Sequence, residues 1–218
     1  MKELRYTLIT DGSSDSLLME IIKWLLDDLY PKQPNKGQYA DFRKLPNPPK
    51  AGDFVGKVKF AKNYYPFDLL FVHRDAENSS FDTIEQREGE IKKSLADDDI
   101  DKIICIIPIR MMETWLLFNA DAIKKAAGNR NFSEPIILPK LKYLENEPQA
   151  KQKLHDILKQ ASGLKGRQLK KFNVDRAVHL VAENIDNFND LRGLSAFSAF
   201  ESKLKKVIDG WLFNNLRV

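Results

Sequence analysis

Three groups of carboxylates stand where apolar runs give way to turns or helices: Asp11 with Asp15, Asp75 with Glu77, and Glu113. Carboxylates just past the end of a buried strand are costly unless they stay solvated, pair with a cationic side chain, or bind a cation. Hard oxygen donors gathered in this way suit Mg²⁺ or Mn²⁺. Such an ion offsets their mutual repulsion, positions a phosphate, and acidifies a bound water for attack. Each group also has a plainer reading. Asp11 and Asp15 fit a turn and a helix N-cap. Asp75 and Glu77 fit ion pairs with Arg74 or a nearby lysine. Glu113 fits the first turn of a helix, where the dipole favours an acid.

For these groups to meet, the elements before them must be neighbouring strands. The clearest is Asp68 to Arg74, an apolar run that breaks abruptly into charge at His73, Arg74, Asp75 and Glu77. That pattern predicts a central parallel strand covered on both faces. Leu4 to Thr10 predicts another strand, ending in the turn Asp11-Gly12-Ser13-Ser14-Asp15. A helix is expected from Ser16 to Tyr30, where Leu17, Leu18, Ile21, Ile22, Leu25, Leu26 and Leu29 recur at helical spacing. Tyr39 to Leu45 reads as a short edge strand, and the prolines and glycine of 46–52 as a loop. A helix over 54–65 is expected to turn Val55, Val58, Phe60 and Ala61 to one face. Residues 81–96 read as a polar helix, and Asp97-Asp98-Asp99 as a solvated turn. Ile100 to Ile109 is the most hydrophobic strand, and Met112 to Ala127 a helix stopped by Gly128.

Strands and helices alternate up to this point, which is the pattern of a layered α/β sheet. After Asn129 no strand signal is strong. Residues 130–147 read as a linker, followed by helices over 148–162, 173–185 and 195–213. The expected organisation is an α/β core over 1–129 and a helical extension over 130–218 packed on it.

Composition sets outer limits. Hydrophobic content of 43% and charged content of 30% describe an ordinary globular chain. No apolar run reaches membrane-spanning length, and the start of the chain has no export pattern, so a cytoplasmic protein is expected. The single cysteine, Cys105, excludes an internal disulfide and a cysteine-rich zinc site. His73, His155 and His179 lack metal-ligand spacing, and Trp24, Trp115 and Trp211 read as core. The net charge of +4 permits nucleic-acid binding without arguing for it. The best phosphate-contacting run is Lys165, Arg167, Lys170 and Lys171, which reads equally as a solvated helix end. There is no phosphate-loop, dinucleotide-binding or nucleophile-elbow signature.

Taken in order, these elements and motifs resemble the TOPRIM domain of topoisomerases, primases and overcoming-lysogenization-defect nucleases. That family carries a glutamate after its first strand, often within Glu-Gly-x-Ser/Thr-Glu, and Asp-x-Asp after its third. Asp11-Gly12-Ser13-Ser14-Asp15 is similar to the first with both acids shortened. Asp75-Ala76-Glu77 is similar to the second with its last acid lengthened. Met112-Glu113-Thr114-Trp115-Leu116-Leu117 resembles a signature of small TOPRIM-like proteins encoded beside an ATPase in prokaryotic defence loci. Leu191-Arg192-Gly193-Leu194-Ser195 is a fainter match.

The resemblance implies a Rossmann-like, mostly parallel sheet with helices on both faces. It implies a Mg²⁺- or Mn²⁺-dependent nuclease subunit in phage defence, acting on DNA ahead of RNA and working with a partner ATPase. Asp11, Asp75, Glu77 and Glu113 would be its catalytic residues, and Asp11, Asp15, Asp75 and Glu77 its metal ligands. The altered acid lengths leave open a catalytically silent module that regulates the ATPase. A receiver-like phospho-switch with Asp75 as phosphoacceptor is a further alternative, weakened by the lack of a lysine at Pro108-Ile109-Arg110.

Overall fold

Leu4–Ile9 forms the first strand, β1, buried along its length except at Arg5. The computed structural model describes residues 2–50, 53–76, 82–93 and 97–215. After β1 the chain makes a 3₁₀ turn over Ser13–Leu17 and then a helix, α1, over Leu18–Leu29. Of the expected stripe, Leu18, Ile21, Ile22, Leu25 and Leu26 are buried in α1, Leu17 is buried in the turn before it, and Leu29 is only partly buried.

The second strand, β2, is Asn35–Tyr39, earlier than the expected Tyr39–Leu45; residues Phe42–Lys44 form a 3₁₀ turn instead. The displacement has a physical cause. β2 is a sheet edge, so it carries polar residues that no apolar pattern announces. Its Gly37 lies under the ring of Tyr6, where an added Cβ would stand 2.2 Å from a ring carbon. Close approach of a ring to backbone therefore requires glycine there.

α2 covers Phe54–Tyr64, β3 covers Leu69–His73, α3 covers Asp82–Lys93 and β4 covers Ile103–Ile106. β4 is shorter than the apolar run around it, because Asp97–Lys102 winds as a 3₁₀ turn. All pairings are parallel, in the order β2-β1-β3-β4. The chain leaves β1 to one side for β2 and returns on its other side for β3. The crevice outside the carboxyl ends of β1 and β3 is thus the topological switch point, where open α/β sheets bind ligands.

The predicted helix over Met112–Ala127 is two pieces. A 3₁₀ turn covers Met112–Leu116, and α4 covers Ala120–Ala126. Asn119 divides them, its side chain accepting from Ala122 N at 2.9 Å, which restarts the helix with a new cap. The extension adds α5 (Ala150–Ser162), α6 (Gly166–Lys170), α7 (Val174–Glu183) and α8 (Ser195–Asn215). The linker itself winds into a 3₁₀ turn at Leu141–Asn146.

α8 lies on the sheet. Its Phe200 packs on Phe71 of β3 at 6.2 Å and on Trp115 at 6.2 Å, and Phe197 meets Trp115 at 5.2 Å. α2 serves the opposite face, where Thr7 donates to the carbonyl of Tyr65 at 3.1 Å. Helices therefore cover both faces. Trp115 is fully buried, whereas Trp24 and Trp211 are only partly so. Arg192 locks the extension to α1: it reaches Asp28 at 2.6 Å and Glu201 at 2.9 Å, with Trp24 beneath its guanidinium. The segment Leu191–Ser195 thus has a structural task. No helix of the described residues is long and apolar enough to cross a membrane.

Candidate functional site

The carboxyl end of β1 is held from below by a buried cation. Lys57 of α2 donates to the Thr10 carbonyl at 2.9 Å and faces Asp11 Oδ1 at 3.3 Å. The other oxygen of Asp11 faces Arg74 Nε at 3.4 Å. Each oxygen of Asp11 therefore meets a cation, one from α2 and one from the end of β3. This arrangement satisfies the carboxylate without a metal ion and joins β1 to β3. Arg74 is fixed in turn by Glu90 at 3.2 Å and lies over the Phe54 ring.

Asp15 and Asp75 meet across His73. The imidazole Nε2 lies 3.6 Å from Asp15 Oδ2 and 3.6 Å from Asp75 Oδ1. Its Nδ1 lies 3.1 Å from the Ile106 carbonyl, and a carbonyl only accepts, so Nδ1 carries a hydrogen. Nε2 then presents either a proton or a lone pair to two carboxylates. Asp15 also accepts from Gly12 N at 3.3 Å, closing the turn after β1 as a capping residue does.

Asp75 is fastened by Met112 N, which donates to its Oδ1 at 2.9 Å. That bond ties the end of β3 to the turn after β4. Burial pushes the Asp75 carboxyl up to about 6, with repulsion from Asp15 and Glu113 adding to the rise and His73 and the Met112 amide opposing it. Glu113 is buried, with Lys151 of α5 at 3.5 Å from its Oε1. Between β4 and Glu113, Arg110 holds a left-handed backbone with φ of 64°. Among the described residues, its buried Nε has no hydrogen-bond partner.

The structure thus brings Asp11, Asp15, Asp75 and Glu113 to the ends of β1, β3 and β4, as the sequence reading expects. Glu77 lies outside the described residues. Lys165, Arg167, Lys170 and Lys171 stand exposed on and beside α6, and no hydrogen bond or ion pair among the described residues links them to the crevice. Among the described residues, no three His, Cys, Asp or Glu side chains gather as a ready-made metal cage. The donor chemistry nevertheless suits Mg²⁺ or Mn²⁺, since Mg²⁺ is commonly held by one or two carboxylates plus waters and substrate phosphate. Asp15 and Asp75 are the two carboxylates here that could hold an ion in that way.

Lys57, His73 and Arg110 were the residues not chosen from sequence. Lys57 did carry a signal. Phe54, Lys57, Val58 and Ala61 share helical spacing and are the buried stripe of α2, while Val55 is exposed, contrary to the expected face. A lysine on a buried stripe needs a partner at its tip. No family model, curated protein or solved structure matches the chain.

Proposed function

We propose that the chain is a TOPRIM-like, divalent-cation-dependent phosphoester hydrolase acting on nucleic acid, DNA ahead of RNA, and serving with a partner ATPase in prokaryotic defence. One observation carries this reading: Asp15 and Asp75, from the ends of adjacent parallel strands, approach one point, the His73 Nε2, from two sides, which places two carboxylates together at the switch point. The observed order of strands, acidic turns and helices supports it, being the order that the resemblance implies. Asp15 and Asp75 would hold the ion, with Glu113 adding negative charge beside them. Mg²⁺ or Mn²⁺ supplies phosphate positioning and an acidified water when bound. The chain's own contributions are distinct. Met112 N orients Asp75, Gly12 N orients Asp15, and Arg74 offers a partly exposed guanidinium beside the crevice.

A second reading, the silent regulator of a partner ATPase, is favoured by Asp11. Its two oxygens already face Lys57 and Arg74, so the acid that the resemblance makes catalytic is occupied. Plasmid and RNA cleavage assays in MnCl₂ and in EDTA, with and without an ATPase encoded beside it, separate the two. Cation-dependent cleavage abolished by Asp75→Asn supports the hydrolase. Absence of cleavage with any partner, together with cation binding, supports the regulator.

A further inference from the structure

Beside the crevice, at the carboxyl ends of β1 and β2, lies a cavity of about 220 Å³. Asp11 and Lys57 line it and also belong to the crevice, so the two spaces adjoin. Phe42, Pro48 and Pro49 give it flat apolar surfaces. Phe42 is held by edge-on packing on Phe60 at 6.3 Å and Tyr65 at 5.9 Å. Polar groups complete the lining. The Tyr39 hydroxyl lies 3.1 Å from Thr10 Oγ1, and Arg43 is clamped to both Asp41 oxygens at 2.8 and 3.1 Å. The walls are therefore set before any ligand arrives.

We propose that this cavity receives one unpaired nucleobase of a nucleic-acid strand whose phosphate lies toward the acidic crevice; the idea rests on the hydrolase reading above. The size argues for a single ring system, because pockets for drug-sized ligands begin at about 300 Å³. The lining argues for a base: flat apolar surfaces stack on its faces without regard to sequence, and the fixed polar groups can meet its edges. The position argues for a nucleotide, since a base here has its own backbone beside Asp11 and Arg74. A base paired in a duplex cannot enter without being turned out of the stack. The structure therefore assigns the chain a preference for single strands or for duplex ends and distortions.

The test is fluorescence anisotropy with the full chain in EDTA, which removes any cleavage. The probes are a labelled single-stranded DNA, a single-stranded RNA of the same sequence, the blunt DNA duplex, and an equally long abasic deoxyribose-phosphate oligomer. The base-bearing single strands should bind at least fivefold more tightly than the duplex and the abasic chain, and the DNA and RNA arms report the preferred sugar. Phe42→Ala should remove that advantage and leave abasic binding unchanged. Because Phe42 also packs on the core, Pro48→Asp, at an exposed position, is the second variant, with melting curves confirming the fold. Equal affinity for base-bearing and abasic chains overturns the proposal, as does unchanged single-strand affinity in both variants or no binding at all. Wall-dependent binding without cleavage in any cation, with or without the partner ATPase, sinks the hydrolase reading and keeps this site. Cation-dependent cleavage without wall-dependent binding does the reverse.

Discussion

The ammonium of Lys57 stands 3.3 Å from the Asp11 carboxylate and 2.9 Å from the Thr10 carbonyl, although 46 residues separate Lys57 from Asp11. Lys57 is almost fully buried, whereas Asp11 keeps 43% of its side-chain surface exposed. The two partners therefore respond differently to loss of the pair. Asp11 can turn to water and to Arg74. The Thr10 carbonyl, itself nearly buried, cannot. Lys57→Met should lower unfolding free energy by about 1–3 kcal/mol, the cost of a buried group left unsatisfied. Lys23→Met, removing the partner of Asp27 in a pair exposed on both sides, should cost less, about 1 kcal/mol or under. Urea unfolding of the two variants checks the ranking, and equal losses would show that burial of Lys57 is not what makes the pair matter.

Divalent ions should distinguish the acids. Wild type should melt higher in MnCl₂ than in EDTA, because a ligand that binds only the folded state stabilises it, by about 2.7 kcal/mol at a hundredfold excess over Kd. Asp75→Asn and Asp15→Asn should lose most of that gain. Asp11→Asn should keep it, since its carboxylate is already engaged by Lys57 and Arg74. Differential scanning fluorimetry at pH 7.5 reads all four proteins. A gain that Asp11→Asn abolishes would place Asp11 among the ligands.

The crevice was legible because a parallel strand buried on both faces is a continuous apolar run, and the change to charge after Val72 is abrupt. The same logic located Asp11 after β1 and Glu113 beyond β4. β2 escaped because an edge strand need not be apolar, and Asn35-Lys36-Gly37-Gln38-Tyr39 resembles a loop in composition. Lys57 escaped because lysine is a surface residue by default; only its place on the buried stripe of α2 argued otherwise. His73 lacks metal-ligand spacing in the sequence, and its two nitrogens have different surroundings: Nδ1 serves the Ile106 carbonyl, while Nε2 faces the acids. No local pattern tells the two nitrogens apart. The pairing is set by the register of β3 on β4, which aligns His73 with Ile106.

The raised carboxyl of Asp75 has a consequence for stability. In the unfolded chain it titrates near the ordinary value of about 3.9, and in the folded protein near 6. The folded state therefore binds the proton more tightly, and stability falls as pH rises from about 4 to 6. Below that window the penalty is absent, and above it the penalty is complete. Asp75 keeps 37% of its side-chain surface exposed, so solvent screening reduces the effect to roughly 1 kcal/mol. In EDTA, Asp75→Asn should gain on wild type by that amount between pH 4 and pH 7. Urea unfolding at four pH values tests this, and a difference that stays flat across the window would mean that burial does not raise the Asp75 carboxyl.

Arg110 offers the last test, because it combines a left-handed backbone, on the turn leading to Glu113, with a buried Nε that has no hydrogen-bond partner among the described residues. Either feature alone has a local cost, of the order of 1 kcal/mol for the backbone. On the proposed hydrolase reading, the Arg110 guanidinium, whose charge also acts on Glu147, would meet a nucleic-acid phosphate. Arg110→Gly and Arg110→Ala remove the same side-chain head and differ chiefly in how well the residue accepts a φ of 64°. Glycine should therefore be the more stable replacement by roughly 1 kcal/mol, reversing the usual order of the two residues. On that reading both variants should weaken single-stranded DNA binding in EDTA by a similar factor, with a shallower dependence on salt, as expected for the loss of one phosphate contact. Unfolding curves and anisotropy titrations over a range of NaCl concentrations read the two effects separately. If both variants bind DNA as wild type does, the guanidinium serves the fold alone; if alanine is the more stable, the backbone at Arg110 carries no strain.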